Sequence, residues 1–327
     1  MMDMTPPPGF EWGRFQNKKG AHIRYGHVRP EGESRGTVVL VGGFRESIEK
    51  YFETARDFLN QGLEVWMMDW RGQGGSSRYL PHEPQKSHHE GYDEQIATLH
   101  QFTQDIVQKN DKPLFLAAHS MGANIGLRYL KEHDGVFTAA IMTSPMTDIH
   151  TNGIPGWLAR QWVKVAGALN ALGNYAPGSK PWTHDAFANN DRTTDRERFN
   201  AWMNFLDTRP DLQMGGPTYG WLHHTFESIR VLNQEDYLKS IKTPILVGMT
   251  SNDGVVISDT LVRATSLLPD CKVVDFPAAK HEIWMERDDI RSAWLKEAVS
   301  FINAYITPSS SPQQKNGRGN NPPGPKK

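Results

Sequence analysis

The stretch 114-LFLAAHSMGANIGLRYL-130 joins the pattern of a buried strand to that of a helix, with no loop between them. Residues 114–118 are continuously apolar, which is typical of a strand that a parallel sheet buries on both faces. A helical pattern starts at Met121, so Ser120 lies in the sharp turn between the two elements. The motif reads G-x-S-x-G with Ala118 at the first glycine. This context predicts that Ser120 is a nucleophile on an elbow rather than a plain helix N-cap.

Extended apolar segments alternate with helical ones along most of the chain, which predicts an α/β fold with a mostly parallel sheet flanked by helices. We expect an opening antiparallel hairpin with its turn at 17–20, then strands at 36–43, 63–70, 113–118, 137–145, 244–250 and 272–277. Helices are expected at 47–62, 91–110, from 121 to about 134, at 258–268 and at 288–306. The regular alternation is interrupted once, by a tryptophan-rich stretch, which indicates a core with a cap. The expected division is core 1–150, cap 151–239, core 240–307 and a disordered tail 308–327.

The composition is that of an ordinary globular protein, with 38% hydrophobic and 22% charged residues among 327. A formal charge of -1 gives no basic field that would attract nucleic acid. The single cysteine, Cys271, excludes an internal disulfide and a CxxC metal or redox site. The first residues show no basic and apolar signal pattern, and no uncharged apolar span reaches the ~18 residues needed to cross a bilayer. We therefore expect a cytoplasmic protein, either soluble or peripherally attached to a membrane.

A nucleophilic serine needs a base and an acid that orients the base, and on an elbow of this kind they follow in the order Ser, Asp, His. Asp253 follows the expected strand 244–250, and His281 follows the expected strand 272–277. Both positions are at carboxyl ends of strands, where an open α/β sheet presents its site. Asp148, after the strand 137–145, is a rival for the acid. The sequence favours Asp253.

The oxyanion hole of such a site combines the amide after the nucleophile with one from the loop after an early strand. These amides are expected to be those of Met121 and Phe44, and Gly42-Gly43 would let the backbone come close to the substrate. The clusters His88-His89-Glu90 and His223-His224 lack the spacing of a metal site and are expected to be surface residues. No cofactor or metal is expected.

Five segments together carry a family resemblance: VLVGGFRES, MMDWRGQGGSSR, LAAHSMGA, MGGPTYGWL and KHEIWMERDDIR. They resemble the α/β-hydrolases of the bacterial lysophospholipase and monoacylglycerol lipase branch, over roughly residues 10 to 306. The resemblance implies a Ser120, Asp253, His281 triad, a helical cap and esterase action on lipids with one acyl chain. Many relatives begin the oxyanion loop with His-Gly and have Gly-Gly after Ser-Met, where this chain has Gly42-Gly43 and Gly122-Ala123. These departures leave the substrate preference open.

The expected activity is hydrolysis of lysophospholipids or monoacylglycerols through an acyl-enzyme. A general carboxylesterase or aminopeptidase of the same superfamily is an alternative, and a non-catalytic ligand-binding member of the fold is another. The expected partner is a small lipid substrate. The sequence leaves open whether the protein contacts a membrane peripherally, which head group and acyl length it prefers, and what its oligomeric state is.

In the inserted region, an apolar stripe of helical spacing adds a surface whose use the sequence leaves open. Its members are Leu158, Trp162, Val165, Leu169 and Leu172. Such a face usually packs within its own domain, and otherwise it lines an acyl tunnel or touches a membrane. The aromatic residues further along suit either an alkyl chain or packing of the cap, and they are Trp202, Phe205, Tyr219 and Trp221.

Overall fold

The fold is seen in a computed structural model that describes residues 2–107, 112–151 and 153–306. The tail expected at 308–327 lies outside the described residues. Eight strands form one sheet in the order β1-β2-β4-β3-β5-β6-β7-β8. The strands are β1 Glu11–Gln16, β2 His22–Val28, β3 Gly36–Val41, β4 Leu63–Met68, β5 Leu114–His119, β6 Ala139–Thr143, β7 Ile245–Met249 and β8 Cys271–Asp275.

The sheet opens with the predicted hairpin, in which β1 and β2 pair antiparallel from Glu11 opposite His27 to Gln16 opposite His22. β2 also pairs antiparallel with β4, and every further neighbour pair is parallel. The predicted fold class, an α/β fold with a mostly parallel sheet, is therefore confirmed. Because β3 and β5 to β8 run in one direction, the loops that follow them meet at one edge of the sheet.

Nine α-helices are present in the described part of the chain, and those outside the insertion agree with the predicted segments to within a few residues, except at α2. They are α1 Phe52–Asn60, α2 Tyr92–Gln101, α3 Met121–Glu132, α4 Gly156–Ala168, α5 Arg196–Asp207, α6 Tyr219–Leu232, α7 Glu235–Lys239, α8 Ser258–Ser266 and α9 Asp288–Ala304. A 3₁₀ turn at Ile48–Tyr51 precedes α1, and a π-helical turn at Phe102–Ile106 follows α2. In these ranges no helix has the length and apolar character that a membrane span requires.

The core lies on both faces of the sheet, as the apolar strands predict. Val39 and Val41 belong to one buried cluster, whereas Val38 and Leu40 belong to the other. Since successive residues of a strand point to opposite faces, the two clusters lie on opposite sides of β3. Strand β5 divides in the same way, with Leu116 and Ala118 in one cluster and Phe115 and Ala117 in the other. The central strands are thus fixed by packing on two sides, and the loops at their carboxyl ends have a rigid base.

Four helices, α4 to α7, lie between β6 and β7, in the region that interrupts the sequence pattern. The predicted apolar stripe of α4 is not the face that packs within the domain. Val165 is 57% exposed and Leu169 is 72% exposed, whereas the buried residues of α4 are Ala159, Val163 and Ala166. The small alanines let α4 approach α6, where Ala159 and Val163 form a cluster with Phe226 and Ile229. The expectation that the stripe packs internally is therefore wrong.

Candidate active site

Ser120 sits on a strained elbow between β5 and α3. Its φ is +51° and its ψ is -114°, a combination that a residue with a side chain rarely adopts. The turn places the start of α3 against the backbone at the end of β3. The approach is so close that a Cβ at Gly122 would lie 2.4 Å from the carbonyl oxygen of Gly42. At the other side of the serine, the Ala118 methyl is 3.7 Å from the position a Cβ would take at Gly126, an ordinary contact. Alanine at the first glycine of the motif therefore fits the elbow.

The structure brings Ser120, His281 and Asp253 into one hydrogen-bonded chain. Nε2 of His281 lies 2.9 Å from Oγ of Ser120, and its Nδ1 lies 2.7 Å from Oδ2 of Asp253. All three residues are buried. The second carboxylate oxygen of Asp253 accepts hydrogen bonds from the amides of Val255 and Val256, at 2.8 and 2.9 Å. These bonds fix the carboxylate so that it faces the histidine ring.

Asp148, the rival acid, has different partners. Its Oδ1 accepts from its neighbouring amide at Ile149 and lies 3.3 Å from Nη2 of Arg160 on α4. Its carboxylate makes no hydrogen bond to His281 within the described residues. The geometry thus agrees with the choice of Asp253 that the sequence favours.

Burial and charge act in opposite directions on the imidazole of His281. Burial alone would lower its pKa, but the charge and hydrogen bond of Asp253 outweigh burial and raise the pKa above the ordinary 6.5. For Asp253, burial opposes ionisation, while the His281 charge and hydrogen bond lower the pKa below its usual 3.8. A raised histidine pKa and a lowered aspartate pKa both mean that the imidazolium form is stabilised, as a general base requires when it takes up a proton.

The loop after β3 lies against the nucleophile. A Cβ at Gly43 would be 3.0 Å from Cβ of Ser120, so glycine is needed for this approach. Neither the amide of Phe44 nor that of Met121 donates a hydrogen bond to an acceptor in the described ranges. Two free amides beside a serine are suited to bind a developing oxyanion.

Residues of the MMDWRGQGGSSR segment hold this loop in place. Nε1 of Trp70 donates to the Gly42 carbonyl at 2.8 Å, and Nε2 of Gln73 donates to the Gly43 carbonyl at 2.6 Å. The oxygen of the same amide group, Oε1 of Gln73, accepts a hydrogen bond from the backbone N–H of Arg45 at 3.1 Å. In the sequence, Gln73 stands out only as part of a family motif. The structure shows what its side chain does: it hydrogen-bonds to the backbone of the loop at both Gly43 and Arg45.

A buried charged group beside the triad was not found from the sequence. Nζ of Lys50 lies 2.7 Å from Oε1 of Glu46 and 2.8 Å from Oε1 of Glu282. His119 and the two glutamates place ligand-type atoms within 4.8 Å of one another, but the ammonium of Lys50 already bridges the carboxylates. We call these four residues the Lys50 cluster. The sequence could have pointed to this cluster through the positions of its members. His119 adjoins Ser120, Glu282 adjoins His281, and Glu46 and Lys50 follow Phe44 at a spacing of four residues, which favours an ion pair on a helix.

The Lys50 cluster combines two protonation states. Burial would raise the pKa of Glu46, but Lys50 and the other partners bring it down to about 2, so this residue is ionised. Burial lowers the pKa of His119 to about 4, so its ring is neutral at pH 7. The His119 ring centroid is 4.9 Å from that of His281. A neutral ring there adds no positive charge next to the general base.

Two cavities adjoin the site and differ in character. The polar cavity, about 280 Å³, is lined by Ser120 and His281, by the Lys50 cluster and by charged residues of the insertion. The apolar cavity, about 410 Å³, is lined largely by aliphatic and aromatic residues, including Trp162 of α4 and Trp221 of α6. Five residues line both, so the cavities adjoin beside the loop after β3: Phe44, Arg45, Asp185, Asp191 and Val255.

The aromatic residues singled out in the insertion line the two cavities and also pack against other rings. Trp202 lines the polar cavity and stacks with Phe205 at 5.8 Å between ring centroids. Tyr219 and Trp221 line the apolar cavity, and the Trp221 ring lies 4.2 Å from that of Phe44. Packing and cavity lining are therefore not exclusive alternatives here.

The histidine clusters differ from the expectation that they are surface residues. His88 and His89 are buried, and Nδ1 of His88 lies 2.8 Å from Oγ1 of Thr218 in the GGPTYGW segment. Burial lowers the pKa of His89 to about 3, so it is neutral. His223 and His224 are half-buried. The surface expectation was wrong for the first pair because it joins two loops rather than facing water.

Comparisons with known proteins find relatives that match most of the chain. The family model described as "Serine aminopeptidase, S33" matches residues 32–288. Lysophospholipase L2 of Escherichia coli strain K12 is 31% identical over 299 residues, which cover 88% of this chain and 86% of the relative. The probable lysophospholipase L2 of Haemophilus influenzae is 29% identical over 297 residues, covering 88% of this chain and 91% of the relative. A solved structure of a soluble variant of Saccharomyces cerevisiae monoglyceride lipase superposes with a TM-score of 0.73 at 18% identity, covering 93% and 97% of the two chains.

Proposed function

Because the chain belongs to the serine aminopeptidase S33 family, within the α/β-hydrolases, we propose that it hydrolyses single-chain lipid esters through an acyl-enzyme on Ser120. Its family and its lysophospholipase relatives make it a hydrolase of carboxylic esters. The observation that carries the mechanism is the hydrogen-bonded chain from Asp253 through His281 to Ser120, with distances of 2.7 and 2.9 Å. This arrangement is the one that nucleophilic catalysis by serine requires.

In the proposed mechanism, His281 takes the proton of Ser120 as its Oγ attacks the ester carbon. The amides of Phe44 and Met121 stabilise the resulting oxyanion. His281 then gives the proton to the leaving alcohol, and the acyl group stays on Ser120. Water attacks the acyl-enzyme with His281 again as the base, and the fatty acid leaves. Asp253 keeps the imidazole in the correct tautomer throughout and stabilises the imidazolium.

The apolar cavity is proposed to take the acyl chain. It has a volume of about 410 Å³ and begins at Phe44 and Val255, which it shares with the cavity that contains Ser120. An ester held at Ser120 can therefore send its chain into apolar surroundings. Most of the residues that line this cavity come from the insertion, and we propose that the insertion at 151–239 acts as a cap. Among the relatives, the names lysophospholipase and monoglyceride lipase agree with a substrate that has one acyl chain.

Peripheral contact with a lipid surface is proposed for α4. Its outer face exposes Trp157 by 69% and Leu169 by 72%, next to the exposed Lys164. A helix with exposed tryptophan and leucine beside a basic residue is suited to lie at a lipid interface. Trp162 of the same helix lines the apolar cavity, so a bound lipid surface would lie beside the proposed acyl site.

A substrate panel tests this function. For p-nitrophenyl esters, kcat/KM should rise from acetyl to medium and long acyl chains, because each buried methylene contributes ~0.8 kcal/mol, or about fourfold if the transition state retains it. Lysophosphatidylcholine and monoolein should be hydrolysed faster than any aminoacyl amide. Diacyl phospholipids should react slowly, since one covered cavity admits one chain.

Two outcomes of the panel would contradict the proposal in different ways. A profile that peaks at acetyl would show that the apolar cavity does not bind an acyl chain and would favour a general carboxylesterase. Faster cleavage of aminoacyl amides would favour an aminopeptidase. The serine mechanism would survive either result, and the lipid assignment would not.

A further inference from the structure

Arg45 occupies an unusual place in the oxyanion loop. It follows Phe44 directly, and it lines both the polar and the apolar cavity. Its φ is +62°, in the left-handed region that is unfavourable for a residue with a long side chain. The hydrogen bond from its amide to Gln73 holds this conformation at 3.1 Å. A strained arginine at the junction of two cavities points to a role for its side chain.

Within the described residues, only one nitrogen of the Arg45 guanidinium donates a hydrogen bond. Its Nε donates to the carbonyl of Met214 at 2.8 Å. Neither terminal nitrogen has a hydrogen-bond acceptor or a carboxylate within salt-bridge distance in the part of the chain that the structure describes. Burial and then the nearby charge of Arg192 lower its pKa to about 10, and it remains a cation at neutral pH. The polar cavity thus contains a half-buried cation with free donors.

The carboxylates nearest in the cavity already have partners. Within the Lys50 cluster, the ammonium bridges both glutamates. The carboxylate of Asp185 lies 2.9 Å from Nη2 of Arg192. Asp191, which is exposed, adds a negative charge to the lining and leaves the cavity with both signs of charge. Such surroundings fit a ligand that carries an anionic group and a cationic one.

We propose that Arg45 binds the phosphate of a zwitterionic lysophospholipid head group, and so selects phosphodiester lipids over neutral monoacylglycerols. This inference rests on the proposed function, which places the ester at Ser120 and the acyl chain in the apolar cavity. The head group then remains in the polar cavity of about 280 Å³. A guanidinium presents its donors in a planar fork that matches two phosphate oxygens, whereas a glycerol hydroxyl offers no charge.

The test compares two lipids with the same oleoyl chain, lysophosphatidylcholine and 1-monooleoylglycerol. Arg45→Asn removes the guanidinium and keeps a residue that tolerates a positive φ. The substitution should lower kcat/KM for lysophosphatidylcholine by about 10- to 100-fold, which is the effect expected when charge-assisted hydrogen bonds to the substrate are lost. It should lower kcat/KM for monooleoylglycerol much less. Arg45→Lys should recover part of the loss because it keeps the charge. Arg14→Asn is the control, since Arg14 is exposed in β1 and lines neither cavity.

A second measurement does not depend on lipid turnover. Glycerophosphocholine should inhibit hydrolysis of p-nitrophenyl butyrate competitively in the wild type, and the inhibition constant should rise at least about tenfold in Arg45→Asn. Equal losses of kcat/KM for both lipids, with unchanged inhibition, would overturn the role of Arg45 and leave the proposed function intact. A wild type that hydrolyses p-nitrophenyl esters but neither lipid would overturn the lipid function itself, and the inference with it.

Discussion

Asp253 is the side chain whose replacement distinguishes the two candidate acids. In Asp253→Asn, the remaining oxygen can still accept from Val255 and Val256, but the new amide would face Nδ1 of His281 with a donor. The ring would then take the wrong tautomer, with its proton on the nitrogen that faces Ser120. We expect kcat for a p-nitrophenyl ester to fall by about 10⁴-fold.

The matched variant is Asp148→Asn, which should have a much smaller effect because Asp148 pairs with Arg160 instead. A reversed order of the two losses would assign the acid to the loop after β6. Small losses in both variants would contradict the proposed triad as a whole.

The pH profile of kcat/KM reports the protonation of His281. The base works only when neutral, so activity should fall as the pH drops through the histidine pKa. Since Asp253, Glu282 and Glu46 together raise that pKa despite burial, half-maximal activity on the acid side should lie above pH 6.5. In Asp253→Asn the largest raising contribution is lost and burial remains, so the midpoint of the residual activity should move to lower pH. An unchanged midpoint would contradict the electrostatic role of Asp253.

The positions of the proposed triad residues follow from the sequence because each is tied to a recognisable strand end. The Lys50 cluster does not follow from the sequence, since its members come from three segments and their pairing depends on the fold. Arg45 is similar, because only the folded structure shows that its terminal nitrogens have no acceptor among the described residues. Charges that meet across distant segments are the part of a site that spacing along the chain does not show.

Among the secondary-structure elements, α4 is the one for which the sequence pattern was misleading. Its apolar residues cover more than one face, and tertiary packing uses the alanine face that fits closely against α6. Val165 and Leu169 of the stripe then remain exposed, whereas Trp162 lines the apolar cavity. In contrast, the central strands β3, β5, β6 and β7 were predictable because a largely apolar run is typical of a strand buried between two layers.

The exposed face of α4 gives a test of the membrane proposal. Trp157→Ser should weaken binding to vesicles of phosphatidylcholine and phosphatidylglycerol by about tenfold, as expected when one large apolar side chain no longer enters the interface. Val165→Ser should weaken it less. Cosedimentation measures the bound fraction, and kcat for a water-soluble ester should not change, since Trp157 and Val165 line neither cavity beside Ser120.

Val262 of α8 provides a matched control for Val165. The two valines are 54% and 57% exposed, on different helices. Val262→Ser should leave vesicle binding unchanged. If both valine variants reduce binding equally, or if Trp157→Ser has no effect, α4 is not the lipid-facing element.

For the chain as a whole, the topology explains why residues so far apart in sequence act together. Ser120, Asp253 and His281 each follow a parallel strand, and parallel strands place their carboxyl ends at one edge. The strand ends recognised in the sequence were therefore enough to predict that these three residues lie at one edge of the sheet. The size and polarity of the two cavities were not predictable, because the insertion that lines them shows no regular alternation in its sequence.

The central claim is that Ser120 is the nucleophile of an acyl-transfer reaction, and mapping the covalent adduct tests it most directly. A fluorophosphonate should modify the wild type once, and peptide mass analysis should place the adduct on Ser120. Ser120→Ala should abolish labelling and lower kcat by a factor on the order of 10³ or more, with its thermal unfolding unchanged. An adduct on another residue, or equal labelling of wild type and Ser120→Ala, would contradict the account.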